Sequence, residues 1–288
     1  MQKIDISTSK FQLSYSEFQI DSYIKRAVTS TLIIANLKGD AHVVSCIGTI
    51  QILCHLLANK FNPEVDDLII SKGHAALALY SVLHEFGVIE FEKLKEFREE
   101  DTHIGIHVTN GLGPFSRLST GSLGHGIGFG AGLALGKRLK NTDGNVYVIV
   151  GDGELNEGSN FEALQIASTL NLNNLTVIVD HNQVQSVASY FEVAGGVEIK
   201  QKFLAFGWEV KEIGITKQLN KFDLEISSTN IAPKCLIYFS SLHPILPDIQ
   251  NQVLWHYRRP DSTDIEKAFE VLDSFNFAPD YVDWFRKL

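Results

Sequence analysis

Two apolar runs, Val146–Val150 and Leu175–Val179, bracket a helical stretch and set the pattern of the chain. The first run stops at Gly151-Asp152-Gly153 and the second at Asp180-His181-Asn182. Strand, glycine turn, helix and strand at this spacing predict a βαβ unit with parallel, adjacent strands. Their carboxyl ends then lie side by side. One end offers the carboxylate of Asp152 and the other the amide oxygen of Asn182.

The remaining pattern repeats this alternation. Ile24, Val28, Leu32 and Ile33 predict a helix over residues 21–37, ended by Gly39-Asp40. Ile50, Leu53, Leu57 and Phe61 predict a second over 47–61, closed by Pro63. Leu68-Ile69-Ile70 is a short buried strand that runs into Ser71-Lys72-Gly73-His74 and a helix over 75–86. A short charged helix follows at 91–99. Residues 101–121 hold His103, His107, Pro114 and several glycines without periodicity, the signature of a functional loop. A Gly- and Ala-rich helix over 122–139 implies close packing against another backbone. Beyond the βαβ unit come a loop at 183–196, a helix at 196–206, a strand at 208–213, a short helix at 218–227 and a strand at 234–239. A loop-rich stretch with His243 and His256 leads to an amphipathic helix at 263–275, with one more helix at 281–288. The expectation is a single α/β domain over residues 1–288, doubly wound, with about five mainly parallel strands and helices on both faces. Ligands in such sheets bind at the carboxyl ends of the strands.

Composition narrows the partners. Hydrophobic residues make up 44% of 288, enough for a sizeable core. A net charge of −9 argues against nucleic acid or an anionic membrane as the main partner. Cys46, Cys54 and Cys235 form no CxxC pair, and Cys46 and Cys54 read as small core residues. An odd count without a framework fits a reducing, cytoplasmic compartment. The amino terminus lacks the apolar core of a signal peptide. The weakly polar stretch at 123–136 is shorter than the roughly 18–20 residues of a membrane span.

Hard oxygens at two adjacent strand ends, beside backbone N–H groups at a helix start, suit a divalent cation and a diphosphate. A Gly-Asp-Gly string alone is an ordinary turn. The interval of about thirty residues to Asn182 gives it weight, because the pair then has the form of the thiamine diphosphate motif. The chain resembles the transketolase family in this and in further segments. GDGELNEGSNFEA at 151–163, STGSLG at 119–124, SKGH at 71–74 and the Trp255-His256 pair carry the likeness, which spans roughly residues 20–260.

The resemblance implies a set of roles. Asp152, Asn182 and the Val184 carbonyl would hold Mg²⁺ or Ca²⁺. Gly153 would let the backbone approach the diphosphate, which His74 and His256 would contact. Gly121 and Leu123 would meet the aminopyrimidine through main-chain groups. His42 and His107 would face substrate hydroxyls, although Ala41-His42-Val43-Val44 replaces the family's glycine-rich string and Ile106-His107-Val108 its glycine–histidine–proline. Glu157 and Glu162 would lie in a hydrogen-bonded network at a subunit interface, while Glu154 reads as solvated. Arg117 reads equally as a surface charge or as a grip on an anionic substrate. His55 and His84 read as structural.

In the family, the glutamate that activates thiamine diphosphate belongs to a second, pyrimidine-binding domain. About 26 residues follow Ser262, too few for a further domain. The resemblance therefore implies the N-terminal subunit of a split transketolase, a transferase moving a two-carbon ketol unit between sugar phosphates or nucleotide-activated sugars. A partner chain would complete the site, in a heterotetramer of two copies of each. A 1-deoxyxylulose-phosphate-synthase-like half and a non-catalytic scaffold are the competing readings.

Overall fold

A computed structural model describes residues 15–39, 42–182, 192–193, 197–213, 231–240 and 258–273. Contacts separate two compact units. One is drawn from residues 60–73 and 107–240, the other from 1–59, 74–106 and 241–288.

The first unit is built on a five-stranded, all-parallel sheet: β1 (Asp67–Ile70), β2 (Val146–Gly151), β3 (Leu175–Asp180), β4 (Glu209–Ile213) and β5 (Lys234–Tyr238), in the order β1-β2-β3-β5-β4. All five strands stand where the sequence predicts them, and the chain has the expected α/β fold. Register places Gly151 of β2 opposite Asp180 of β3. Asp152 and His181 therefore leave the sheet together, with Asn182 one step beyond.

Helices α5 (Gly126–Leu139), α6 (Gly158–Thr169) and α7 (Ile199–Ala205) belong to this unit. Their apolar stripes, including Ile127, Leu164 and Phe203, close one core with Val148, Val177 and Ile237 of the sheet. Each such side chain contributes about 1.5–3 kcal/mol on leaving water. Leu68, Ile70, Ile149, Ile178 and Leu236, which point to the opposite face, are buried as well. Burial on both faces is why the central strands β2 and β3 read as apolar runs rather than alternating ones, whereas β4, at the edge, is largely polar.

The glycines of α5 divide by their surroundings. A Cβ at Gly126 would collide with Ser71, and one at Gly130 would come within 2.5 Å of Val148 Cγ2. These two account for the close packing the sequence implies. Gly132 and Gly136 have no atom of the described residues within 4 Å of where a Cβ would stand.

The described residues of the second unit form helices and their connections. α1 (Glu17–Lys38) starts at a capping box in which Ser16 Oγ accepts from the Gln19 N–H and Gln19 Oε1 accepts from the Ser16 N–H. It ends at Gly39, whose φ of 73° is left-handed. α2 (Val43–Asn59) is buried along nearly its whole length, as its composition demands. α3 (Ala76–Glu85) is tied to α1 by an Arg26–Glu85 ion pair at 2.7 Å and by Thr31 Oγ1 donating to Ser81 Oγ at 2.9 Å. α4 (Phe91–Leu94) is shorter than the predicted 91–99, and Arg98 beyond it adopts a left-handed φ of 67°. α8 (Ser262–Asp273) packs on α1. Among the described residues no helix is long and apolar enough to cross a membrane. The predicted helices at 218–227 and 281–288 lie outside the described residues.

Candidate active site at the carboxyl ends of the strands

Four strand ends of the sheet unit converge on a set of buried polar groups. Each reaches its place because an apolar strand delivers it there and then stops.

β1 ends in Ser71-Lys72-Gly73. Lys72 is 2% exposed, and its Nζ lies 2.5 Å from Asp180 Oδ2 at the end of β3. Its stem passes over Gly151 at the end of β2, where an added Cβ would touch Lys72 Cδ at 3.6 Å. Ser240, just past β5, donates to the other oxygen of Asp180 at 2.5 Å. Burying a lysine and an aspartate is costly unless both are paired, and here each is.

β2 ends in Gly151-Asp152-Gly153. Asp152 is buried; its Oδ1 accepts from the Gly153 N–H at 2.7 Å, and its Oδ2 lies 2.9 Å from His181 Nδ1. His181 is buried too, its ring edge-on to Phe239 at 5.0 Å and its N–H bonded to the Tyr238 carbonyl. Asn182 follows, half-buried. Thus Asp152 and Asn182 come to adjacent strand ends, as their spacing predicts. Among the described residues no group of three His, Cys, Asp or Glu side chains forms a metal cluster. An ion beside Asp152 would take its other ligands from amide, main-chain or ligand oxygens.

The glycine turn at 119–124 is fixed at both ends. At the front, Thr120 Oγ1 donates to the Ile70 carbonyl at 2.8 Å and the Thr120 N–H to the Val108 carbonyl at 2.9 Å. At the back, Gly124 donates its N–H to Glu154 Oε1 at 2.8 Å and accepts from Ser159 Oγ at 2.8 Å. Gly124 has φ 88°, and a Cβ there would meet Glu157 Cβ at 2.6 Å. This conformation is why α5 starts at Gly126 rather than at the predicted residue 122. Between the fixed ends, Gly121 and Ser122 are exposed and Leu123 half-buried. A Cβ on Gly121 would lie 3.7 Å from His107 Cδ2. The turn and His107 therefore share one location.

Glu154 departs from its expected solvated position. It is 2% exposed and accepts from the Ser71 hydroxyl, the Gly124 N–H and the Gly151 N–H. Burial raises its pKa, and these donors and Lys72 act against the rise. A glutamate three residues after Gly151, at the start of a helical segment, looks like a solvated cap from sequence alone. Only the 3-10 turn at Gly153–Asn156, which folds the side chain back under the glycine turn, reveals its burial. Glu162 is exposed on α6, and Glu157 is exposed at the N-cap of that helix.

Arg117 also finds its place. Its Nε pairs with Asp67 Oδ1, while Lys137 Nζ holds Asp67 Oδ2 at 2.8 Å. Asp67 opens β1, so Arg117 sits at the amino end of that strand, away from Ser71 and Lys72. The surface-charge reading is the one the geometry favours.

In the helical unit, His42 and His74 face each other with ring centroids 5.7 Å apart. His55 and His84 are helical and structural, as expected: burial lowers the His55 pKa to about 4, and His84 Nδ1 lies 3.2 Å from the Ile89 carbonyl. Val184 and His256 lie outside the described residues. The three cysteines are buried and form no disulfide.

Comparison with known proteins gives a consistent picture. Residues 47–232 match the family described as transketolase, thiamine diphosphate binding domain. A protein of Actinobacillus succinogenes, named as one subunit of an apulose-4-phosphate transketolase, is 30% identical over 273 residues, covering 91% of this chain and 98% of that protein. A protein of the same name from Phocaeicola vulgatus is 31% identical over 205 residues, covering 70% and 73%. Among solved structures, the transketolase of Campylobacter jejuni superposes with a TM-score of 0.73 at 26% identity, covering 90% of this chain and 43% of that one. The transketolase of Leishmania mexicana superposes with a TM-score of 0.76 at 23% identity, covering 96% and 44%. The chain thus spans less than half the length of these solved relatives.

Proposed function

Because this chain belongs to the transketolase family, we propose that it is the N-terminal subunit of a split, thiamine diphosphate-dependent transketolase. In this reading it transfers a two-carbon ketol unit between sugar substrates only when a second chain supplies the pyrimidine-binding domain and its activating glutamate. The observation that carries the reading is coverage. The chain matches 98% of a protein named as a single transketolase subunit, yet under half of the undivided solved transketolases. The name of that relative makes a phosphorylated ketose of the apulose type the first substrate to assay. A heterotetramer of two chains of each kind, in the cytoplasm, is the assembly this reading expects.

The residues present fit the cofactor. A buried carboxylate and an amide oxygen on neighbouring strand ends are hard donors, suited to Mg²⁺ or Ca²⁺. Asp152 and Asn182 would hold the ion, with the Val184 carbonyl as third protein ligand, and Gly153 would admit the diphosphate. His74 and His256 would contact the same diphosphate. Gly121 and Leu123 would present main-chain groups to the aminopyrimidine. Bound thiamine diphosphate supplies the carbon nucleophile for cleaving and forming carbon–carbon bonds. His42 and His107 would orient the sugar hydroxyls. Glu157, at the N-cap of α6, and Glu162, on that helix, are both exposed and would meet the second copy of the chain and join its hydrogen-bond network.

The test is calorimetric titration of the chain with thiamine diphosphate and Mg²⁺, alone and with the partner, followed by ketol-transfer assays of the pair against a panel of ketose and nucleotide-sugar donors. Binding in neither titration overturns the cofactor reading. Appreciable transfer by this chain alone overturns partner dependence.

A further inference from the structure

We propose that Glu154 is a positioning residue that locks the back of the glycine turn at 119–124, where it enters α5, to the ends of β1 and β2, so that the two backbone segments are set as one rigid piece. The cofactor role of that piece rests on the function proposed above; the lock itself rests on geometry alone.

Glu154 joins three segments distant in sequence. Its Oε1 accepts from the Ser71 hydroxyl beyond β1 and from the Gly124 N–H at 2.8 Å. Its Oε2 accepts from the Gly151 N–H at 3.3 Å, at the end of β2. Ser71 extends the chain of bonds, because its Oγ accepts from the Gly126 N–H at 3.0 Å. The Glu154 carbonyl accepts from the Asn160 side chain at 2.6 Å, which anchors the residue to α6. Every partner is buried or backbone, and the carboxylate is 2% exposed.

A loop of exposed glycine and serine has no packing to define it. Gly121 and Ser122 are exposed, so order must come from the two ends. Thr120 fixes the front to β1 and Val108. Glu154 and Ser71 supply the matching hold at the back. A carboxylate accepting from backbone N–H groups makes charge-assisted bonds, stronger than those a hydroxyl could offer in its place. The short Gly153–Asn156 turn places Glu154 so that the Gly-Asp-Gly turn and the glycine turn share one side chain. Movement of either is then movement of both.

The experiment compares wild type with Glu154→Ala, Glu154→Gln and Ser71→Ala by amide hydrogen exchange, with thiamine diphosphate plus Mg²⁺ titrated calorimetrically on each. Exchange at Gly124 and Gly126 should accelerate at least about tenfold in Glu154→Ala, while Val148 and Val177 in the sheet keep wild-type protection. Ser71→Ala should release Gly126 but leave Gly124 held. Glu154→Gln retains an oxygen toward Ser71 and Gly124, so it should restore most protection there. Cofactor affinity should fall with the same ranking. If Glu154→Ala does not fold, Ser71→Ala and Glu154→Gln decide the matter. Unchanged exchange at Gly124 and Gly126, or selective loosening with wild-type cofactor affinity, overturns the proposal. Should wild type bind no cofactor either alone or with the partner chain, the functional reading falls, and exchange at the two glycines still judges the lock.

Discussion

Lys72 Nζ lies 2.5 Å from Asp180 Oδ2, and to reach it the lysine crosses the end of β2 above Gly151. The pair joins the first strand to the third at the end of the sheet that bears the candidate site. Both side chains are almost fully buried, so removing one leaves the other charged in a poor dielectric. Lys72→Met should destabilise the chain by about 3–5 kcal/mol. Replacing Asp180 by Asn in the same background should recover part of that loss, because the stranded charge disappears. Urea unfolding of the single and double variants checks both, and equal stability of Lys72→Met and wild type would contradict the pairing.

Gly124 and Gly132 make a second, contrasting pair. Gly124 combines φ 88° with a would-be Cβ 2.6 Å from Glu157 Cβ and 2.7 Å from Ser159 Oγ. Ala at 124 should cost about 1–3 kcal/mol through backbone strain and steric displacement. Gly132 sits inside α5 with no atom of the described residues within 4 Å of where a Cβ would stand. Ala there should stabilise the isolated chain by about 0.5–1 kcal/mol, the difference in helix propensity. Thermal melts of the two variants should therefore move in opposite directions.

Some residues carry their structural place in the sequence and others do not. Strand positions followed directly from runs such as Val146–Val150, because a doubly buried strand has nowhere to put a polar residue. The adjacency of Asp152 and Asn182 followed from the connection length alone. Glu154 could not be read this way. Its burial depends on a single 3-10 turn and on donors from residues 71 and 124, none of which leaves a periodic trace. Arg117 was ambiguous for a related reason: a loop arginine carries no record of which strand end it faces, and its partner Asp67 is fifty positions away. Helix starts were the least legible, since α5 begins where Gly124 turns left-handed rather than where its apolar stripe begins.

Stability should depend on pH through His55. Desolvation in α2 lowers its pKa from 6.5 to about 4 in the folded chain, with the Asp21 charge acting weakly the other way. Burial lowers His84 as well. A depressed folded-state histidine means that the unfolded chain binds the proton first. Its contribution is therefore complete above pH 6.5 and declines as pH falls from 6.5 toward 4. The loss from His55 alone is on the order of 2–3 kcal/mol. Below about pH 4 both states are protonated and this contribution changes no further. Unfolding free energies measured across pH 4–7.5 should show the decline, and a His55→Gln variant should flatten it.

Asp152 separates a structural carboxylate from a ligand-binding one, because two different consequences follow from removing it. As seen, it holds the Gly153 N–H and faces His181 Nδ1. In the proposed function it also binds the ion that carries the diphosphate. Asp152→Asn keeps an oxygen for Gly153 and nearly the same volume, so the fold should survive with a loss of roughly 1–2 kcal/mol. It removes the charge, and a hard divalent ion loses its one anionic ligand among the residues assigned to it. Thiamine diphosphate affinity in the presence of Mg²⁺ should then fall at least tenfold. Wild type stripped of metal by a chelator should lose affinity similarly and recover it on adding Mg²⁺, whereas Asp152→Asn should recover little. Calorimetry with and without the chelator distinguishes the cases. If Asp152→Asn responds to Mg²⁺ as wild type does, the ion is held elsewhere and Asp152 serves the fold alone.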